Sequence, residues 1–139
     1  MKYFIDTNVI IDLLDNKKEA KEQIKALLLE ENSELFINRL VLVETLRTIH
    51  FTHSKKFREA EKKLEWFQKV NIKPKIYNEA IEFSRFCHSK GRGVLKGKCE
   101  AIDYLHFITA KYYELEMVSN DGDMPKLEEQ YIKYIEQNK

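Results

Sequence analysis

Short apolar stretches set apart by long charged segments of helical period limit the fold of this chain more than any other feature. Tyr3-Phe4-Ile5, Leu35-Phe36-Ile37 and Met117-Val118 read as strands. A fourth strand is expected near Val70-Asn71-Ile72, ended by Pro74. Between them, Lys17 to Glu31 carries Ile24, Leu27 and Leu28 at helical spacing, and Leu40 to Phe51 carries Leu42, Leu46 and Ile49. Lys55 to Lys69 repeats the pattern with Phe57, Ala60, Leu64 and Phe67. Tyr77 to His88 and Cys99 to Tyr113 add two more helices, whereas Glu128 to Lys139 fits a strand or a helix. Strands alternating with helices predict an α/β fold with a central, mainly parallel sheet flanked by α-helices. With 139 residues, the expectation is one domain over 1–139. Four Gly and two Pro leave little room for a turn-rich all-β protein.

Charge excludes some functions and localises others. Lys and Arg number 24 against 23 Asp and Glu, so the net charge of +1 marks neither a generally basic nucleic-acid binder nor an acidic tail. Any electrostatic role must be local. Cys87 and Cys99 are too few for a disulfide framework or a cysteine zinc site, which points to a reduced, cytoplasmic chain. Asp6 and Asp12 interrupt the apolar N-terminus, and no uncharged run approaches the ~20 residues of a membrane span. No membrane role is expected.

The chemistry lies in acids placed beside apolar residues. Asp6 directly follows the first strand, and Glu44 sits in the least polar part of its helix. Asp103 opens Ile102-Asp103-Tyr104-Leu105-His106-Phe107-Ile108-Thr109-Ala110, and Asp121 and Asp123 follow Met117-Val118. The carboxyl ends of parallel strands share one edge, where ligands bind. Acids gathered there repel one another unless paired, hydrogen-bonded or placed on a cation. All-oxygen ligands suit Mg²⁺ or Mn²⁺. A plainer account competes. Asp6 could cap a helix starting near Asn8, and Asp103 could border a core stripe of Ile102, Leu105, Thr109 and Tyr112.

The four segments resemble the motifs of the PIN domain family of metal-dependent nucleases, which includes the VapC-type ribonuclease toxins. Tyr3-Phe4-Ile5-Asp6-Thr7-Asn8 is similar to the first motif, and Ile37 to Leu46, with Glu44, to the second. Ala101 to Ala110 matches the third, and Val118-Ser119-Asn120-Asp121-Gly122-Asp123 resembles the fourth. The resemblance covers essentially the whole chain. It implies that Asp6, Glu44, Asp103 and Asp121 are catalytic and bind the metal, with Asp123 as a fifth ligand. Asn8 and Ser119 become polar supports. It further implies hydrolysis of RNA phosphodiesters with Mg²⁺ or Mn²⁺, leaving a 5′-phosphate and a 3′-hydroxyl. In the toxin branch it implies a protein antitoxin and a homodimer. Tyr104 and His106 depart from the third motif, where smaller or aliphatic residues are usual. His106 reads better as a core or surface residue than as a ligand.

Substrate needs cations. Arg85, Lys90, Arg92, Lys96 and Lys98 lie in a Gly-containing segment without Asp or Glu that leads into the Asp103 helix, and they are the expected RNA contacts. Phe83, Phe86 or Tyr104 could stack on bases, although helical spacing places the two Phe in the core. Lys55 to Lys63, with mixed signs, reads as an exposed helix face. Two alternatives are a small-molecule phosphohydrolase and an inactive PIN-like module binding RNA or protein. Asn8 stands where the haloacid-dehalogenase pattern needs a second Asp, which disfavours the first.

Overall fold

The structure is a computed structural model that describes residues 1–89 and 100–138. In chain order the elements are β1 (Lys2–Ile5), α1 (Thr7–Leu14), α2 (Lys18–Leu28), β2 (Glu34–Ile37), α3 (Arg39–Leu46), α4 (Ser54–Glu65), β3 (Gln68–Lys69), α5 (Pro74–His88), α6 (Glu100–Tyr112), β4 (Glu116–Val118) and α7 (Met124–Gln137). The fold is α/β, as the alternating pattern predicts. The strands form one sheet in the order β3-β2-β1-β4, and every pairing in it is parallel.

Two compact units carry these elements. The first comprises Met1–Asn71 with Leu115–Asn120 and holds the whole sheet and α1 to α4. Its middle strand is apolar on both faces: Tyr3, Phe4 and Ile5 are all buried, the mark of a central parallel strand. Phe4 aligns with Phe36 on one side and Met117 on the other. Val9 and Ile10 of α1, Ile24 of α2, Val41 of α3 and Leu64 of α4 are also buried. Each such side chain contributes about 1.5–3 kcal/mol relative to exposure. The cations of α4 stay in solvent, as its mixed charges predict.

The second unit comprises Ile72–Glu114 with Asp121–Lys139 and holds α5, α6 and α7. Pro74 starts α5 at its first turn, where a missing N–H costs nothing. Phe83 is fully buried and lies 5.4–5.6 Å, ring to ring, from Tyr104, Phe107, Tyr131 and Tyr134.

Three local expectations need correction. The fourth strand is Gln68–Lys69 rather than Val70 to Ile72. Its register with Phe36 and Ile37 exhausts β2, and after Val70 N donates to Ile37 O (2.9 Å) the chain leaves the sheet. The ambiguous C-terminal segment is a helix from Met124, because Leu127 and Tyr134 fall on one buried face. In α6 the core stripe is not Ile102, Leu105, Thr109 and Tyr112. Tyr104 and every residue from His106 to Ala110 are buried, while Tyr112 is 42% exposed. A helix covered on several sides has no single stripe for periodicity to find.

Candidate functional site

Strand order reverses beside β1. The chain steps from β1 to β2 and β3 on one side, and β4 returns on the other. The carboxyl end of such a switch point is where open α/β sheets bind ligands. Asp6 follows β1 there, and Ser119 follows β4. The pairing of Ile5 with Val118 extends through Asp6 N, which donates to Val118 O at 2.9 Å.

Asp6 is 3% exposed. Its Oδ1 accepts from Thr7 N at 2.9 Å, and its Oδ2 accepts from Ser119 Oγ at 2.7 Å. It also serves as the N-cap of α1, so the capping account is correct as far as it goes. Among the described residues no cation pairs with this carboxylate. Among the described residues, two donors satisfy this buried carboxylate.

Neighbouring side chains extend the network. Asn8 Nδ2 donates to Ser119 Oγ (3.3 Å), and Asn120 N donates to Asn8 Oδ1 (3.2 Å). Asn8 therefore reaches Asp6 through the serine hydroxyl rather than directly. Glu44, half-buried on α3, accepts at Oε1 from Thr7 Oγ1 at 2.6 Å. Thr7 thus ties both acids together, its N–H on Asp6 and its hydroxyl on Glu44. Sequence reasoning assigned Thr7 no part. The one available signal was its place between the acid and Asn8. On the next strand Asn38, fully buried, caps α3 with its side chain accepting from Val41 N at 3.0 Å.

Asp103, Asp121 and Asp123 belong to the second unit, and all three are half-buried. Asp121 Oδ1 accepts from Asp123 N at 2.9 Å, in the turn that opens α7. Asp123 has a cation of its own, with Lys126 Nζ 3.1 Å from its Oδ1. Among the described residues, no group of three or more His, Cys, Asp or Glu side chains could hold a metal ion. The oxygens of Asp6 and Glu44 do fit a hard divalent cation by donor type.

His106 is fully buried on α6, which removes it from contact with a phosphate. Phe83 and Tyr104 are buried as well and cannot stack on bases. Phe86 is half-buried against Tyr134. Arg85 is exposed in the last turn of α5, its Nη1 2.9 Å from Glu82 Oε1. Lys90, Arg92, Lys96 and Lys98 lie outside the described residues. No helix among the described residues is long and apolar enough to cross a membrane.

Comparison with known proteins places this geometry. The PIN domain family model matches residues 3–130. No curated protein matches the chain significantly. Among solved structures the fold is similar to VapBC2 from Rickettsia felis bound to a DNA fragment from their promoter (TM-score 0.74, 17% identity, 91% of this chain and 93% of that one covered). It is similar to FitAcB from Neisseria gonorrhoeae (TM-score 0.68, 18% identity, 92% and 94% covered). It is also similar to a toxin-antitoxin complex from Klebsiella pneumoniae (TM-score 0.64, 21% identity, 86% of each chain covered). With a family model spanning nearly its whole length and a parallel sheet in this order, the chain belongs to the PIN domain family.

Proposed function

We propose that this chain is a metal-dependent ribonuclease that hydrolyses phosphodiester bonds, with Asp6 at the centre of its acidic site. One observation carries the reading. Asp6 is a buried carboxylate with no cation beside it among the described residues, held by two donors at the switch point of a parallel sheet. Capping α1 accounts for one oxygen of Asp6, whereas its burial at the ligand-binding edge of the sheet is what a hard-metal nuclease needs.

Bound at such carboxylates, Mg²⁺ or Mn²⁺ would neutralise charge on the phosphate and acidify a water. The chain's own contribution is positioning. Thr7 N and Ser119 Oγ each occupy one lone pair of Asp6 and leave others available. Thr7 Oγ1 orients Glu44 in the same way. Asp103 and Asp121, with Asp123 as the fifth, join the set on motif order alone, and Asp103 or Asp121 takes the proton of the attacking water. In-line attack breaks the bond to O3′ and leaves a 5′-phosphate and a 3′-hydroxyl.

The likeness to a toxin-antitoxin complex supports reading the chain as the toxin of such a pair with a protein antitoxin, and the homodimeric state rests on the resemblance of the motifs alone. The lack of a three-acid group among the described residues favours a second reading, an inactive PIN-like binding module. Cleavage of labelled single-stranded RNA in Mg²⁺, Mn²⁺ or EDTA, with Asp6→Asn as control, separates the two. The nuclease reading expects metal-dependent cleavage that Asp6→Asn abolishes while the variant still folds. No cleavage together with no metal binding by calorimetry selects the module.

A further inference from the structure

The turn between α3 and α4 carries aromatic rings and cations but no acid. From Thr45 to Arg58 the sequence holds Arg47, Lys55, Lys56 and Arg58 together with His50 and His53, and the first acid after Glu44 is Glu59. The mixed signs of α4 therefore begin only at Glu59. Every residue from His50 to Glu59 is exposed. Phe51 is 97% exposed, more than any other large apolar side chain among the described residues. Leu29, Val43, Trp66 and Ile81 are exposed too, but each adjoins a glutamate in the chain. Phe51 has no acid within six positions on either side.

The turn is held by its own hydrogen bonds. His50 Nδ1 accepts from Thr52 N at 3.2 Å and lies 2.8 Å from Thr52 Oγ1. His53 N donates to His50 O (2.9 Å), and Phe57 N donates to His53 O (3.0 Å). The rings of His50 and His53 stand 5.3 Å apart. Leu46, Ile49, Phe51, Phe57 and Arg58 line an open groove of about 510 Å³, in which Glu61 is the one acid. That volume is in the range of small-ligand clefts. The turn also continues the helix that carries Glu44, since Arg47 N donates to Val43 O (3.2 Å) and Ile49 N to Leu46 O (3.1 Å).

The charge selects the occupant. An apolar protein segment would cover Phe51 but leave the surrounding cations without acids. A single-stranded polyanion satisfies both, with bases on the rings and phosphates on the cations. We propose that the α3–α4 turn binds a single-stranded stretch of RNA outside the phosphate that is cut, with a base stacked on Phe51 and phosphates on Lys55, Lys56 and Arg58. This deepens the nuclease reading and rests on it for the choice of polymer. The four residues hold substrate and take no part in proton transfer.

The test is anisotropy of fluorescent single-stranded RNA across a salt series. It uses the Asp6→Asn background in EDTA so that the probe stays intact. Phe51→Ala is expected to weaken binding on the order of tenfold at an unchanged salt slope, and Phe51→Trp to keep the affinity. Lys55→Gln, Lys56→Gln and Arg58→Gln combined should flatten the slope of log K against log salt by about 2, at about 0.7 per phosphate contact on a single strand. Lys25→Gln, on α2, should change neither. Phe51→Ala should also unfold in urea at the parent's midpoint, because its ring lies in solvent. If Phe51→Ala leaves the affinity unchanged, or the triple variant leaves the slope unchanged, the assignment is overturned, and cleavage by the wild type keeps the nuclease reading standing. If Phe51→Ala instead turns a dimer into a monomer in sedimentation at unchanged RNA affinity, the turn is a contact between copies and the assignment falls. The expected binding changes in a chain whose wild type cuts no RNA keep the assignment and overturn the nuclease reading. A parent that binds no RNA overturns the assignment, and wild-type cleavage decides the nuclease reading separately.

Discussion

At the scale of single residues, Thr7 matters more than its modest chemistry suggests. Its N–H and its hydroxyl serve two different carboxylates, Asp6 next to it in the chain and Glu44 on α3. Thr7→Val keeps the shape and the N–H bond but removes the donor to Glu44. A hydrogen bond to a charged group is worth about 1.5–3 kcal/mol, so urea unfolding should show a loss of that order. Cleavage should fall with it, and Thr7→Ser should restore both. Asp123 illustrates the opposite case. Lys126 already pairs with its carboxylate. The acids were legible because Asp6, Glu44 and Asp103 adjoin apolar runs and Asp121 and Asp123 follow a strand. Thr7 was not, because a hydroxyl beside an acid looks the same in sequence whether or not it reaches an acid on another helix.

At the scale of elements, α5, α6 and α7 meet around one ring. Phe83 packs edge-on against Tyr104 and Tyr131 and stacks on Phe107 at an interplanar angle of 22°. Such pairs add about 0.5–1.5 kcal/mol beyond area burial. Phe83→Ala is therefore expected to cost about 3–5 kcal/mol by denaturant unfolding, and Phe83→Leu clearly less. If both variants unfold at the wild-type midpoint, the aromatic cluster is not what holds this unit. The three helices differ in how far their sequences expose them. α5 begins at Pro74, three residues before the Tyr77 expected from its period, and buries Ile76, Ala80, Phe83 and Cys87. α7 looked ambiguous because Tyr131-Ile132-Lys133-Tyr134-Ile135 suits either period. Burial of Leu127 and Tyr134 decides for the helix. α6 defeats periodicity because most of its second half is covered.

At the scale of the whole molecule, both units carry a buried tyrosine tied to acids. Tyr3 in β1 is pushed up to about 12, first by its hydrogen bond to Glu30 (2.6 Å) and then by burial. Tyr134 in α7 is also pushed up to about 12, first by burial and then by its hydrogen bond to Glu79. Both phenols start from 10.0, so the folded chain holds these protons more tightly than the unfolded one. Their stabilisation is complete below pH 10 and is lost as pH rises towards 12. Melting temperature should fall across that window, and Tyr3→Phe should flatten part of the fall. A slope unchanged in Tyr3→Phe would remove Tyr3 from this account. The sequence by itself determined the strand–helix alternation, the parallel sheet and Asp6 at the end of its first strand, because apolar period and interrupting charge are local signals. Only the tertiary structure decided where β3 ends, which residues of α6 are buried and that Thr7 joins Asp6 to Glu44. Those depend on strand order and register, which bring together positions more than thirty residues apart, such as Thr7 with Glu44 and Arg39 with Asn71.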